Sequence, residues 1–392
     1  MDLSPLLLSL AGAAAVALVA AGRGETRRWW AAAAIVVATA AAARIAGHSW
    51  ARIGLADVAE LAAVGLLLAT GTDAARNAAK RWLVAIVPAI VAIGLGWALI
   101  GLGHVRPGGS LERIAVGLFI GGFALELALL PLMFWLPAVA GAASGTTLAL
   151  VAVVVDVAVM ADLLDLFEAA PWIFTEHRWA WGVPAFLSLV GAAAWAVAAE
   201  AVTVIVALVS VSGFGFLILG LVGGDAMAVD GVRLGAVGHG LAAAAAFAAI
   251  AIGEDAAGER ISIATTRGLA SRAPVASGVF MVAAGALVGF PPSLVADAHW
   301  RLFRAAAEIA GPVGLGLAFL GATLSFLALV RVVHRVWLGP ATATVATPSA
   351  PRVATVALVA LALAIVVSGL VPRVFESGSD AARIVTVAGV RP

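Results

Sequence analysis

Apolar runs of about one bilayer thickness, separated by short charged or Pro/Gly-rich segments, make up most of this chain. A helix needs roughly 20 apolar residues to cross the ~30 Å hydrocarbon core of a bilayer. The runs predict about twelve transmembrane helices, near residues 3–21, 29–46, 53–70, 82–103, 112–130, 143–166, 182–200, 203–222, 232–253, 275–295, 311–338 and 352–371. The pattern therefore predicts an all-α polytopic membrane protein.

Two of the predicted helices are broken by proline at membrane depth. The first break holds Pro131 and Pro137, and the second holds Pro291 and Pro292. Each broken helix is the fourth in a set of five, and an odd number of helices per set makes the second set inverted relative to the first. Inverted repeats with discontinuous helices at their centre are typical of transporters.

This arrangement predicts four segments along the chain. They are an N-terminal transmembrane helix in 1–28, a first five-helix repeat in 29–180 with its break near 131–137, a second repeat in 181–339 with its break near 289–292, and a C-terminal helix and tail in 340–392. Backbone groups freed at the breaks need partners from protein or water, because lipid offers none.

Composition agrees with an integral membrane protein and excludes several classes of function. Hydrophobic residues make up 63% of the 392 residues and charged residues 11%, against about 25% charged in soluble domains. The net charge of +1 gives no reason to expect a nucleic-acid partner. The chain has no cysteine, which excludes iron–sulfur clusters held by cysteine, and it shows no metal-ligand spacing. We expect no catalytic residue, no metal and no cofactor in this chain.

Five ionisable residues within the apolar runs or beside their breaks are the candidate functional residues. They are Glu60, Glu126, Asp156, His239 and His299. A charge at the centre of a spanning helix costs roughly 2.5–3.5 kcal/mol on insertion scales, so such residues usually face a bundle interior and mark ion or proton routes. The five residues therefore predict a proton pathway across the membrane.

Each of the five also has a structural interpretation. A carboxyl group or His239 could simply hydrogen-bond a neighbouring helix, and His299, beside Asp297 and Arg301, could lie at the membrane interface. Three further acids follow Asp156 towards a loop, and we interpret them as a solvated helix end: Asp162, Asp165 and Glu168.

Six sequence segments, in order, resemble one family of membrane proteins. The first two read AELAAVGLLLATGTDAARNAAKRWL and FALELALLPLMFWLPAVAGAASG, and the later four read GFGFLILGL, GHGLAAAAAF, RGLASRAP and VGFPPSLVADAHW. They are similar to signatures of the antiporter-like membrane subunits of respiratory complex I, Mrp-type sodium/proton antiporters and membrane-bound hydrogenases. The resemblance runs from about Arg52 to Gly339.

The resemblance implies a chain of protonatable residues and water, coupled to redox work in partner subunits. By position, Glu60 matches the family's glutamate, and Glu126 and Asp156 occupy positions where the family has lysine. His239 matches a family histidine, and His299 falls where the family has lysine or glutamate. The implied role is a membrane subunit without redox chemistry of its own, in a translocase of NADH-quinone oxidoreductase or hydrogenase type.

This chain departs from the family at several of these positions. Acids replace both central lysines, Ala243 stands where the family has a lysine after its histidine, and Met133 replaces the histidine of the first broken helix. A glutamate–lysine pair between the positions of Glu60 and Glu126 therefore cannot form.

Three functional interpretations stay open. In the first, the buried carboxyl groups and histidines pass protons between one another. In the second, the chain is a non-pumping scaffold of a larger complex, and in the third it is a stand-alone carrier of a cation such as Na⁺. The expected partners are protons, with Na⁺ as the alternative, the lipid bilayer, and other membrane and peripheral subunits. The expected location is the inner membrane of a bacterial cell.

Overall fold

Helices make up nearly all of the computed structural model, which describes residues 4–46, 50–101, 108–109, 111–340 and 350–372. In chain order they are α1 (Ser4–Arg23), α2 (Arg27–Ile45), α3 (Trp50–Leu68), α4 (Asp73–Gly101), α5 (Glu112–Glu126), α6 (Leu136–Ala142), α7 (Gly145–Leu150), α8 (Asp156–Ala169), α9 (Trp172–Thr175), α10 (Arg178–Ala198), α11 (Val202–Gly223), α12 (Ala226–Ala257), α13 (Pro274–Leu287), α14 (Leu294–Val332) and α15 (Arg352–Leu370). Within these ranges the only β pairing is an isolated bridge between Ala201 and Ser262. The prediction of an all-α fold is confirmed.

The number of membrane-spanning helices is not confirmed as twelve. Nine helical segments in the described part of the chain are long and apolar enough to cross a bilayer, if the continuous stretch Gly145–Ala169, which contains α7 and α8, is counted as one. The three predicted spans that fall short are α3, which carries Arg52, Asp57 and Glu60, and α5 and α13, which end after 15 and 14 residues at the two breaks. The predicted tail beyond residue 372 lies outside the described residues.

The order of the helices is the same in the two halves of the chain. In the first half, α2, α3 and α4 precede a helix broken between α5 and α6; in the second, α10, α11 and α12 precede a helix broken between α13 and α14. This shared order agrees with the predicted repeats, while the segment boundaries remain a prediction.

One stretch that we expected to connect two spans is helical. The tenth predicted span ends near residue 295 and the eleventh begins near residue 311, which leaves a predicted connection between them. The structure instead has α14 beginning at Leu294, with non-helical backbone angles at Ala310 and Gly311. The side chain of Ser293 caps its first turn by accepting a hydrogen bond from the N–H of Ala296. Ion pairs four residues apart, such as Arg301 with Asp297, support a helix in this polar stretch.

The helix α12 runs through the centre of the bundle. It packs against α11, α13, α14 and α15 on the side of the second half, and against α1, α7 and α8 on the side of the first. Its sequence is rich in alanine and glycine, and small residues let neighbouring helices approach closely. The helix that carries His239 is therefore enclosed by protein along its central part, whereas Ala226 and Asp255 near its ends are exposed.

Candidate functional site

The first break leaves Glu126 at the end of a helix inside the bundle. The helix α5 ends at Glu126, and two residues later Ala128 has a left-handed backbone with φ of +51°. Trp135 donates a hydrogen bond from Nε1 to the carbonyl oxygen of Leu125 at 2.9 Å, and the N–H of Leu130 donates to Ser188 Oγ at 2.9 Å. Neighbouring side chains thus satisfy the backbone groups that the break frees, as membrane depth requires.

The predicted prolines lie in and around the two breaks. Pro131 lies between α5 and α6, and Pro137 lies in the first turn of α6, where a proline is well tolerated because its missing N–H has no helical partner. Pro291 and Pro292 lie between α13 and α14, and both are exposed.

Glu60 and Glu126 form a carboxyl pair. Glu60 lies on α3 with only 5% of its surface exposed, and its side chain is a hydrogen-bonding partner of the Glu126 side chain. The two carboxyl groups, from α3 and α5, therefore meet inside the bundle.

Asp156 begins a helix directly after an irregular turn. The segment Val151–Val155 is a π-helical turn, and Asp156 is the first residue of α8. Single π turns inside a helix often occur at functional sites, because they change the direction in which the following side chains point. Gly240 of α12 packs against this region, since a Cβ there would lie 2.8 Å from the carbonyl oxygen of Ala152.

All three predicted acids line one cavity. Glu60, Glu126 and Asp156 face it together with Trp82 and Ser210. Its volume, measured as the space open to the centre of a water molecule, is about 60 Å³, and roughly 10–15 Å³ of such space accommodates one water. The cavity therefore has room for several water molecules.

Polar atoms in the cavity wall are available to bind water. Trp82 Nε1 and Ser210 Oγ are buried and have no hydrogen-bond partner among the described residues. The ring of Trp82 stacks on that of Trp135, with centroids 5.6 Å apart and an interplanar angle of 6°. Since buried polar groups are almost always hydrogen-bonded, Trp82 Nε1 and Ser210 Oγ point to water in the cavity.

His239 lies beside the cavity and does not line it. It is 3% exposed, and its ring packs so closely on Gly213 of α11 that a Cβ there would lie 2.4 Å from its Cε1 atom. Its other ring neighbour is Phe214, at 5.6 Å between centroids, and Phe214 itself lines the cavity. Phe214 is thus in contact with both His239 and the cavity.

His299 lies behind the second break and is partly buried. Its ring packs against Gly289, which has φ of +82°, and against Phe216 with centroids 4.9 Å apart. The ring also hydrogen-bonds the backbone of Val288, and it interacts electrostatically with His239. The structure thus divides the five candidates into three acids at the cavity and two histidines beyond Phe214.

The interpretation of Asp162 and Asp165 as a solvated helix end is wrong. Both carboxylates contact Nη1 of Arg52, which is only 4% exposed, and Asp165 also pairs with Arg44 at 3.4 Å. These cations are not close to the two acids in the sequence, because they lie on α2 and α3, more than 100 residues earlier. Glu168, in contrast, is exposed.

Sequence reasoning also missed Asp57. It lies on α3 three residues before Glu60, so that both acids share one face of the helix. It interacts electrostatically with Glu60. The three-residue spacing of two acids in an apolar run was the signal that could have identified it.

The fold and the cavity define a class: an all-helical polytopic membrane protein with two broken helices and an acid-lined interior cavity. The family model described as "NADH:quinone oxidoreductase/Mrp antiporter, TM" matches residues 95–325. The chain belongs to this family, and it is an antiporter-like membrane subunit.

Individual relatives and solved structures agree with this assignment. The chain is 27% identical over 268 residues to "NADH-quinone oxidoreductase subunit N" of Rhodococcus opacus (strain B4), an alignment that covers 67% of this chain and 49% of the relative. The chain spans about half the length of the curated relatives it matches.

Two solved structures have the same fold. A chain of the Mrp complex from Dietzia sp. DQ12-45-1b superposes with a TM-score of 0.86 and 18% identity, covering 96% of this chain and 82% of that one. A chain of respiratory complex I from Thermus thermophilus with bound NADH superposes with a TM-score of 0.83 and 20% identity, covering 95% and 81%. The resemblance stated from the sequence is confirmed.

Proposed function

We propose that this chain moves protons through the cavity shared by Glu60, Glu126 and Asp156, as one subunit of a multisubunit complex in a bacterial cell membrane. The observation that supports this proposal is the cavity itself, because three carboxyl groups from three different helices meet around room for water. Carboxyl groups joined by short chains of water are suited to passing protons. The similarity to subunits of complex I and of an Mrp complex supports the presence of partner subunits.

The Glu60–Glu126 pair supports protons as the transported species. A hydrogen bond between two carboxyl groups needs one proton, since neither carboxylate has a donor of its own. The described residues contain no group of three or more His, Asp or Glu side chains placed to hold a metal ion. This geometry favours a proton over a desolvated cation such as Na⁺.

The two histidines would continue the path beyond the cavity. Gly240 packs against Val157, so His239 and Asp156 flank the same contact between α12 and α8. His299 is the next ionisable group after His239. Transfer from Asp156 to His239 would pass Phe214, which would have to rotate to connect the two groups.

The test uses the complex purified from its own cells through a tag on this chain and reconstituted into liposomes with a pH-sensitive dye inside. Glu126→Gln and Asp156→Asn should each reduce proton uptake about tenfold or more, which corresponds to a barrier rise of ~1.4 kcal/mol, with assembly intact on native gels. The matched control is Glu200→Gln, an exposed acid between α10 and α11, which should pump at the wild-type rate.

Two other results would contradict the proposal. Wild-type proton uptake by both cavity variants in a fully assembled complex would support the scaffold role. Uptake of radioactive sodium by the isolated chain in liposomes, lost in Glu126→Gln, would support the carrier role.

A further inference from the structure

A buried ion-pair cluster lies where α3 begins and α8 ends. Arg52 contacts Asp162 and Asp165, and Arg44 pairs with Asp165 at 3.4 Å. The Arg52 side chain is 5% exposed, whereas that of Arg44 is 37% exposed. The cluster therefore extends from a buried position to the surface at this end of the helices.

The same two helices lead from this cluster to the cavity. Arg52 near the start of α3 lies opposite Asp162 and Asp165 towards the end of α8, so the two helices run antiparallel. Glu60 is eight residues further along α3, about 12 Å at 1.5 Å per residue. Going back along α8, Val159 and Asp156 line the cavity that Glu60 also lines.

Two acids lie between the cluster and the cavity. Asp57 is three residues before Glu60 on α3, and Asp162 is three residues after Val159 on α8. Asp57 and Asp162 interact electrostatically with each other and with Glu60. Charged groups thus follow one another at intervals of about one helical turn from Arg52 to Glu60.

One buried atom of this series has no hydrogen-bond partner among the described residues. It is Nε of Arg52, a residue that is 4% exposed. Buried donors of this kind are normally satisfied by ordered water. Its unused hydrogen-bonding capacity points to water at the cluster, as Trp82 Nε1 and Ser210 Oγ do at the cavity.

We propose that Asp57 and Asp162 form a polar access branch, which conducts protons between the Arg44–Arg52 end of the bundle and the Glu60–Glu126 pair. Each transfer moves one proton from a donor oxygen to an acceptor oxygen through water, so no other reactant is needed. Arg52 is a positioning residue that holds the Asp162 carboxylate close to Asp57. This inference rests on the proposed function and extends it by naming the route to the pair.

The test measures how fast the proton of the Glu60–Glu126 pair exchanges with solvent, without requiring transport. The full chain in its complex is transferred from H₂O to D₂O, and infrared spectroscopy follows the carboxyl C=O band of the pair, identified as the band that Glu60→Gln removes. Asp57→Asn and Asp162→Asn should slow this exchange about tenfold or more. Asp57→Glu, which keeps a carboxyl group, should restore it towards the wild-type rate.

The matched control is Asp230→Asn, because Asp230 is also an ion-paired aspartate, bound to Arg233 on α12, with a similar exposed fraction. It should leave the exchange rate unchanged. If Asp162→Asn fails to assemble because Arg52 loses a partner, Asp57→Asn decides the question, since it leaves the Arg52 ion pairs in place.

Exchange at the wild-type rate in Asp57→Asn would overturn the access branch, even if Glu126→Gln abolishes proton uptake. Slowed exchange in a complex that moves no protons would support the branch and contradict the proposed function. The exchange rate therefore tests the access branch, and proton uptake tests the proposed function.

Discussion

The carboxyl groups of Glu60 on α3 and Glu126 at the end of α5 are hydrogen-bonding partners. Glu60 and Glu126 are 66 positions apart in the sequence. The first break ends α5 at Glu126, and both carboxyl groups face the same cavity. Two carboxylates held this close repel each other. One proton shared by the pair removes this repulsion, because only one of the two groups is then charged. A pair of this kind can accept and release a proton with little rearrangement.

The pair predicts opposite effects for two substitutions of Glu126. Glu126→Gln supplies an amide N–H to Glu60 without a shared proton, so the thermal midpoint of the purified complex should stay the same or rise. Glu126→Leu leaves Glu60 buried without its partner and should destabilise the protein by about 1–3 kcal/mol. Equal midpoints for the two variants would argue against the hydrogen bond between Glu60 and Glu126.

Trp135 stabilises the first break, and its hydrogen bond can be tested separately. Trp135→Phe keeps an aromatic ring against Trp82 but removes the Nε1 donor to the carbonyl oxygen of Leu125, which keeps the long bond of 3.4 Å from the N–H of Ala128. Losing the Trp135 hydrogen bond should cost about 0.5–1.5 kcal/mol. The control is Trp300→Phe, because Trp300 is 74% exposed and should tolerate the change. Thermal unfolding in detergent distinguishes the two variants. Similar midpoints would show that the Trp135 hydrogen bond does not stabilise the first break.

Replacing Gly240 with a larger residue should destabilise the contact between α12 and α8. The Cβ of Gly240→Ala would lie 2.5 Å from Val157 Cγ2 and 2.8 Å from the carbonyl oxygen of Ala152, so the helices must separate at a cost of about 1–3 kcal/mol. Gly117→Ala on α5 is the control, because no described atom outside its own helical turn lies within 4 Å of the added Cβ and alanine favours a helix. Accumulation of each variant in membranes gives the comparison.

Arg52 should be required for folding as one member of a charged group. Arg52→Met leaves Asp162 and Asp165 without this buried cation and should destabilise the chain by about 3–5 kcal/mol. Adding Asp162→Asn and Asp165→Asn to Arg52→Met should recover most of the loss, because no carboxylate of the cluster is then left unpaired and Arg44, which loses Asp165, is 37% exposed.

The exposed pair of Arg76 and Asp73 provides the control for this series. Its side chains are 56% and 89% exposed, so Arg76→Met should change stability by about 0–1 kcal/mol. Thermal midpoints of the four proteins test the prediction. A triple variant as unstable as Arg52→Met would show that the arginine acts through packing and not through its charge.

The sequence by itself determined the class of protein and much of its interior chemistry. Apolar runs of bilayer length predict the all-α membrane fold, because lipid leaves the backbone of a spanning segment few other ways to form its hydrogen bonds. Pro131 and Pro291 indicate the two breaks, and the acids within apolar runs indicate candidate sites because burying a charge is costly.

Only the tertiary structure decided which of these groups meet. Glu60, Glu126 and Asp156 share a cavity, whereas His239 lies behind Phe214 and Asp162 pairs with Arg52 from 110 residues earlier. The reason is that periodicity places a side chain on one face of its own helix, while its partners depend on which helices pack together and at what height. That choice depends on close contacts of small residues such as Gly213 and Gly240, which look the same in the sequence as any other glycine in an apolar run.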